Sequence, residues 1–130
     1  MAHHFEFDFE HKILRLVLEA DMDGEEFLRL NAEIRAQIER LRPLAGIADA
    51  ASLVNFSVTS QTLRTAALQG SPYPPATPRY IVAPTDYLFG LARMYELAGN
   101  YSESSLQVVR KLDDALADLG VPNAIFENLE

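Results

Sequence analysis

A short apolar run followed at once by an amphipathic segment occupies residues 79–99 of this chain, RYIVAPTDYLFGLARMYELAG. Residues 80–83 predict a buried strand, Pro84, Thr85 and Asp86 interrupt it, and apolar residues then recur at helical spacing. Such a strand-to-helix unit is typical of sheets in which helices connect parallel strands. Because the same unit recurs along the chain, we expect an α/β fold.

The N-terminal region predicts a β-hairpin. Phe5, Phe7 and Phe9 alternate with charged residues, which indicates a strand with one apolar face. Residues 13–20 are more continuously apolar, as expected for an inner strand that is covered on both faces. We therefore predict that the first strand lies antiparallel to the second, at an edge of the sheet.

The remaining elements alternate between helix and strand. Asp23 can cap a first helix, and Glu26 stands at the capping-box position three residues later. Residues 70–78 contain four prolines and predict a stiff surface connection, with a polyproline ligand for an aromatic groove as the alternative. We predict further strands at 51–56 and 106–110, a helix at 61–68, and a last helix that Gly120 terminates.

These elements predict one domain over residues 1–130, with the tail 121–130 docked on it or partly mobile. Their order is β-β-α-β-α-β-α-β-α, which predicts a mixed five-stranded sheet with right-handed crossovers and helices packed on it. Gly90 is expected to allow close contact between its helix and the sheet. The residues expected to be largely buried are Phe27, Ile34, Ile38, Ile81, Leu91 and Leu116.

Composition excludes several classes of function. The chain has no cysteine, so disulfides, thiol catalysis and cysteine-ligated metals are excluded. Its net charge of −8 disfavours nucleic acid and anionic membranes as partners. No apolar run reaches membrane-spanning length, and the N-terminus lacks a signal-peptide pattern. We expect a cytoplasmic protein.

The chain resembles the STAS domain, and within it the SpoIIAA-like branch of small bacterial proteins. The resemblance implies a STAS-like α/β fold and a regulatory role in binding other proteins, as in the anti-sigma-factor antagonists. It covers nearly the whole chain and rests on structural motifs rather than catalytic ones. These motifs are DGEEF at 23–27, VNFS at 54–57, IVAP at 81–84, FGLARMYE at 89–96, VVR at 108–110 and LDDA at 112–115.

The resemblance also implies a serine phosphoswitch in an Asp-Ser-Ser-Gly-like turn after the third strand. The corresponding residues 55–61, NFSVTSQ, lack both the acidic residue and the glycine, so we predict that the switch is absent. The carboxyl ends of parallel strands are nevertheless favoured ligand positions. We predict that a partner or an anion contacts Ser57, Thr59, Ser60 and Thr85 there. The alternative is that these hydroxyls only cap helices.

The three histidines do not predict a metal site. His3 and His4 are adjacent in a strand, so they point to opposite faces of the sheet. We expect a frayed terminus at His3 and His4 and a turn residue at His11. No catalytic residues are assigned and no cofactor is expected.

The sequence therefore predicts a non-enzymatic protein-interaction or regulatory module without the serine phosphoswitch. The alternative is a carrier of a small apolar ligand or lipid, and a weaker third hypothesis is an enzyme that uses the hydroxyl cluster. A carrier should contain an apolar cavity, whereas an interaction module should have an intact core and an exposed apolar patch. The partner protein or ligand is unknown, and a homodimer remains open.

Overall fold

The computed structural model describes residues 3–99 and 106–129. None of the helices in this described part is both long enough and apolar enough to cross a membrane. The elements, in chain order, are β1 (His3–Asp8), β2 (Ile13–Asp23), α1 (Gly24–Leu41), β3 (Ala45–Ser57), α2 (Ser60–Leu68), β4 (Arg79–Val82), α3 (Asp86–Ala98), β5 (Leu106–Val109), α4 (Leu112–Leu119) and β6 (Glu127–Leu129).

The described strands form one mixed sheet of six strands in the order β5-β4-β3-β2-β1-β6. Strands β2, β3, β4 and β5 run parallel to one another, and β1 is antiparallel to β2. The predicted five-stranded sheet is therefore wrong by one strand. The C-terminal segment pairs with β1 in antiparallel register, with Phe5 opposite Leu129 and Phe7 opposite Glu127. Strand β1 lies between β2 and β6, so it is not the edge strand that the sequence predicted.

Helices cover both faces of the sheet unequally. Helices α1, α2 and α3 pack on the face that carries Phe5, Phe7 and Leu16. On the other face, α4 and the chain that follows it pack against Ile47 and Val82. Strands β2, β3, β4 and β5 follow one another in a single direction across the sheet. With right-handed crossovers, the connecting helices α1, α2 and α3 therefore all lie on the same face.

Strand β3 is longer than the sequence predicted, because it begins at Ala45 rather than at residue 51. Its first residues are glycine and alanine, which are weak strand formers on their own. Pairing with β2 on one side and β4 on the other extends the strand nevertheless. Tyr73 of the proline-rich segment lies directly over Gly46, where a Cβ atom would overlap the phenol. The segment is therefore partly buried and not a simple surface connection.

The predicted core is only partly correct. Leu116 is 5% exposed, as expected for a core residue. The other five predicted residues are only partly buried, and four of them border an unfilled space between the sheet and α1, α2 and α3. Those five residues are Phe27, Ile34, Ile38, Ile81 and Leu91.

Candidate functional site

A cavity of about 130 Å³ lies between the sheet and the layer formed by α1, α2 and α3. Strands β2, β3 and β4 provide its floor, and the three helices provide its roof. Its apolar lining comprises Leu16, Leu18, Phe27, Leu30, Ile34, Ala48, Ala50, Leu53, Phe56, Leu63, Ala66, Pro72, Ile81, Ala83, Leu88, Leu91, Ala92 and Tyr95. Four of the five predicted core residues that are only partly buried are in this lining.

Small side chains on facing elements create the space. Ala48 and Ala50 lie on β3 in the floor, while Ala66 of α2 and Ala92 of α3 lie in the roof. Larger side chains border these positions, among them Phe27, whose ring packs edge-on against Phe56 with 5.6 Å between centroids. The bulky side chains therefore keep the helices apart from the sheet, and the small alanine side chains leave the space between them unfilled. Outside the cavity, side chains on this face are closed to solvent, with Leu14 1% exposed and Met22 0%.

Polar groups in the lining are Asn31, Gln69 and Arg79. The Asn31 amide donates to the Gln69 carbonyl oxygen at 3.4 Å. The Arg79 guanidinium donates to the Ser71 hydroxyl at 3.2 Å and lies 5.4 Å from the centre of the Tyr73 ring. Among the described residues, no aspartate or glutamate lines the cavity. The polar part of the wall is therefore amide and cationic in character.

The predicted hydroxyl cluster is divided between capping and solvent. Thr59 and Thr85 are the N-caps of α2 and α3, where their hydroxyls accept from the backbone N–H groups of Thr62 and Leu88, each at 3.1 Å. Ser57 donates to the Met22 carbonyl oxygen at 3.3 Å, and Ser60 is exposed at the start of α2. The capping interpretation therefore accounts for the two threonines.

Ser57 and Thr85 also lie at different distances, measured along the strands, from the point where β3 and β4 pair. Asp49 of β3 pairs with Val82 of β4. Ser57 comes eight residues after Asp49, whereas Thr85 comes three residues after Val82. Strand β3 therefore continues well beyond the end of β4. Contact of these hydroxyls with a partner or an anion stays a prediction.

The two N-terminal histidines point to opposite faces, as predicted, but His3 is not frayed. It is 6% exposed and lies beneath α1, where Glu26 accepts a hydrogen bond at 2.6 Å and Glu33 accepts one at 2.9 Å. Burial lowers the pKa of His3, but the two carboxylates outweigh this effect and the net pKa is raised. The Glu26 carboxylate therefore binds His3, while the Asp23 carboxylate still accepts from the Glu26 N–H.

The opposite face of the sheet carries an ion-pair network. Arg15 donates to Glu6 at 2.5 Å and to the buried Asp49 at 2.6 Å. His4 lies between Glu6 and Glu19, at 2.8 and 2.5 Å. Arg15 also lies 5.4 Å from the centre of the Phe126 ring, so the network joins three strands to the C-terminal segment. Among the described residues, no group of three or more acidic or histidine side chains is arranged to hold a metal ion.

A solved structure shares this architecture. It is an uncharacterized protein of the DUF3478 family from Shewanella loihica PV-4, reported with a SpoIIAA-like fold. The two chains are 12% identical with a TM-score of 0.58, and the match covers 91% of this chain and 92% of that one. This chain has a SpoIIAA-like fold. The resemblance seen in the sequence is thereby confirmed, and at this identity it concerns the fold alone.

No family model and no curated protein matches the sequence. The site must therefore be interpreted from its own geometry. Sequence patterns did not reveal the cavity, because its five alanines come from β3, α2, α3 and the residue after β4, and each is unremarkable in its own segment. The only local signal is the alternation of Ala48 and Ala50 on one face of β3.

Proposed function

We propose that this SpoIIAA-like domain is a non-enzymatic module that binds a small apolar molecule in the cavity under α1, α2 and α3. One observation carries the proposal: a cavity of about 130 Å³ with an almost entirely apolar lining lies between the sheet and three helices. An engineered apolar cavity of about 150 Å³ in another protein stays dry and binds benzene. This cavity is also partly open to solvent. It therefore suits a single aromatic ring or an alkyl chain, and the rest of a larger apolar molecule can extend through the opening.

The chemistry of the lining supports binding rather than catalysis. The described lining residues are aliphatic and aromatic side chains, two amides, one guanidinium and the phenol of Tyr95. Amide and guanidinium groups do not act as general acids or bases near neutral pH. A ligand would therefore meet groups that hold and orient it rather than an acid–base pair.

Fluorescence of the apolar dye N-phenyl-1-naphthylamine tests the cavity. Dye emission should rise on binding to the wild-type protein and should fall when a competing apolar ligand is added. The Ala92→Leu substitution places a larger side chain in the roof and should weaken dye binding at least tenfold. Ala36→Leu makes the same change on the exposed side of α1 and should leave binding unchanged. Equal binding by both variants would show that the dye lies outside the cavity.

A second candidate function is the protein-interaction module that the STAS resemblance implies. An open groove runs between the outer faces of α2 and α3 and is lined by Arg64, Gly90, Arg93, Met94, Leu97 and Ala98. Leu97 is 71% exposed, and Leu68, one helical turn after Arg64, is 75% exposed. Arg64 and Arg93 lie beside these exposed leucines, and Arg93 is paired with Glu96 on its own helix at 3.1 Å. The local arginines favour an acidic amphipathic helix of another protein as the partner.

Affinity capture from the source cells tests this groove when it is done with matched variants. The Leu97→Glu substitution should abolish capture of a partner, because it adds repulsion at the apolar centre of the groove. Val54→Glu is the control, since Val54 is 77% exposed on β3 and is not part of the groove lining. If the same proteins are captured with both variants, the groove is not the interface.

A further inference from the structure

We propose that His3 is a proton-dependent clip, which holds α1 over the cavity while its ring is protonated and lets the ligand exchange faster once the ring is neutral. This inference rests on the proposed function and adds a regulation of the same site. Three observations support it: His3 lies buried beneath α1, both of its ring nitrogens bind that helix, and α1 forms part of the cavity wall.

Both ring nitrogens of His3 face carboxylates of α1. Nδ1 lies 2.6 Å from the Glu26 carboxylate, and Nε2 lies 2.9 Å from the Glu33 carboxylate. A neutral imidazole has one N–H group and can donate to one carboxylate, whereas an imidazolium donates to both. The geometry is therefore that of the protonated ring. Loss of the proton places a nitrogen lone pair against a carboxylate oxygen, so one of the two bonds to α1 is lost.

The surroundings of the His3 ring are otherwise apolar. On β2, the residue opposite His3 is Leu18, and on β1 the ring packs edge-on against Phe5 with 6.0 Å between centroids. His4 lies on the other face of the sheet, where it binds different carboxylates. Among the described residues, the charged groups that act on His3 are the two carboxylates of α1. Deprotonation therefore leaves two anionic side chains of one helix without the cation between them.

Helix α1 joins these bonds to the cavity. Its residues in the lining are Phe27, Leu30, Asn31 and Ile34. Glu26 directly precedes Phe27, and Glu33 directly precedes Ile34, so each bond to His3 holds the backbone beside a lining residue. Loss of one bond therefore loosens the roof of the cavity while the strands of the floor stay paired. A looser roof speeds both the entry and the escape of a ligand.

The pH range in which the clip works follows from the pKa of His3. Burial lowers this pKa, but the hydrogen bonds and charges of Glu26 and Glu33 outweigh burial and raise it above its ordinary value of 6.5. The ring is therefore largely protonated at pH 6 and loses its proton as the pH rises through the raised pKa. His4 and His11 also have raised pKa values, but their carboxylate partners are not on α1.

The dissociation rate of N-phenyl-1-naphthylamine at pH 6 and pH 9 tests the clip. The dye does not titrate in this range, so a change in rate comes from the protein. Stopped-flow mixing of dye-loaded wild type with excess competing ligand should show dissociation at least threefold faster at pH 9. The two rates should be equal in His3→Gln. His11→Gln is the control and should keep the wild-type ratio, because His11 binds Asp8 in the β1–β2 turn.

A second variant tests the clip from the side of α1. The Glu33 side chain is 41% exposed, so Glu33→Gln is a mild change. The new amide can accept from an N–H group of the ring or donate to its lone pair, so it binds His3 in both states. The ratio of the two rates should therefore fall to about one. Glu39→Gln, on the exposed side of the same helix, should keep the wild-type ratio.

The outcomes separate the clip from the proposed function. Equal rates at both pH values in the wild type would overturn the clip while dye binding stands. A wild-type ratio in His3→Gln would also overturn it, because the pH dependence would then come from another group. If the dye binds at neither pH, the proposed function itself fails and the clip fails with it.

Discussion

Gly46 and Gly90 are both glycines inside regular elements, and their surroundings predict opposite effects of the same substitution. A Cβ atom at Gly46 would overlap the Tyr73 phenol, whereas one at Gly90 would have no heavy atom within 4 Å. The expected close contact between the helix and the sheet at Gly90 is therefore wrong. Gly46→Ala should lower the free energy of unfolding by about 1–3 kcal/mol through overpacking. Gly90→Ala should raise it by about 0.5–1 kcal/mol, because alanine favours helix.

Urea denaturation measures both changes on one scale. The two variants control for each other, since each adds a single methyl group. A Gly46→Ala protein as stable as the wild type would mean that Tyr73 moves aside at no cost. A destabilised Gly90→Ala protein would mean that the outer face of α3 is covered.

His3 makes stability depend on pH in a direction that follows from its raised pKa. The folded state holds the proton more tightly than the unfolded state, whose ordinary pKa is 6.5. The added stability is therefore complete below pH 6.5 and is lost as pH rises through the folded pKa. His4 and His11 also have raised pKa values, chiefly from hydrogen bonds to Glu6 and Asp8, so the wild-type profile contains all three.

The variant His3→Gln isolates this contribution, because glutamine can hydrogen-bond to Glu26 or Glu33 but does not titrate. Urea midpoints at pH 6 and pH 9 should show that the substitution costs more stability at pH 6 than at pH 9. The same comparison with His11→Gln measures how much of the pH dependence of stability comes from the exposed β1–β2 turn. An equal cost of His3→Gln at both pH values would show that folding does not raise the pKa of His3.

At the scale of elements, Asp8 joins the β1–β2 turn to the C-terminal segment. Its carboxylate accepts from the backbone N–H groups of Glu10, His11 and Ile125, at 2.9, 3.1 and 3.2 Å. Burial raises the pKa of Asp8, but the His11 side chain and the backbone N–H groups of His11 and Glu10 outweigh burial and lower it. Asp8→Ala should cost about 2–4 kcal/mol in urea denaturation, because three backbone N–H groups and the His11 ring lose the charged acceptor that they share.

The control for this substitution is Asp114→Ala, an exposed first-turn position of α4 at which the helix dipole contributes less than about 1 kcal/mol. Hydrogen exchange on Asp8→Ala should also be faster in β6, since Ile125 loses its anchor two residues before that strand. A loss no larger than that of the control would show that water replaces the carboxylate.

The elements also separate what the sequence predicts from what it does not. Capping and periodicity are local, so Asp23, Thr59 and Thr85 could be placed at helix starts from their neighbours alone. Strand β6 has three residues with no alternation to detect, and it exists through pairing with β1, which lies at the other end of the chain. The long β3 likewise depends on neighbours on both sides.

At the scale of the whole molecule, the candidate site was not predictable, because a cavity is a deficit of volume summed over several elements. The sequence correctly predicts the apolar stripes of α1 and α3, and the likeness to a SpoIIAA-like structure confirms the fold. It does not show that Ala48 of the sheet and Ala92 of α3 line the same space. The predicted site at the strand ends followed a general rule for α/β sheets, whereas the cavity lies over the sheet itself.

Two leucines on the same face of the sheet test whether the cavity exists in solution. Leu14 is 1% exposed and lies outside the cavity lining, whereas Leu91 is partly buried and lines the cavity. Leu14→Ala should cost about 3–5 kcal/mol, since it removes a full set of contacts and leaves a new void. Leu91→Ala should cost only about 1–2 kcal/mol, because part of the removed side chain already faced empty space.

Urea denaturation of both variants, with and without N-phenyl-1-naphthylamine, provides the comparison. Dye should stabilise the wild type and Leu14→Ala in proportion to its binding. Equal costs for the two leucines would mean that the layer closes over the cavity in solution.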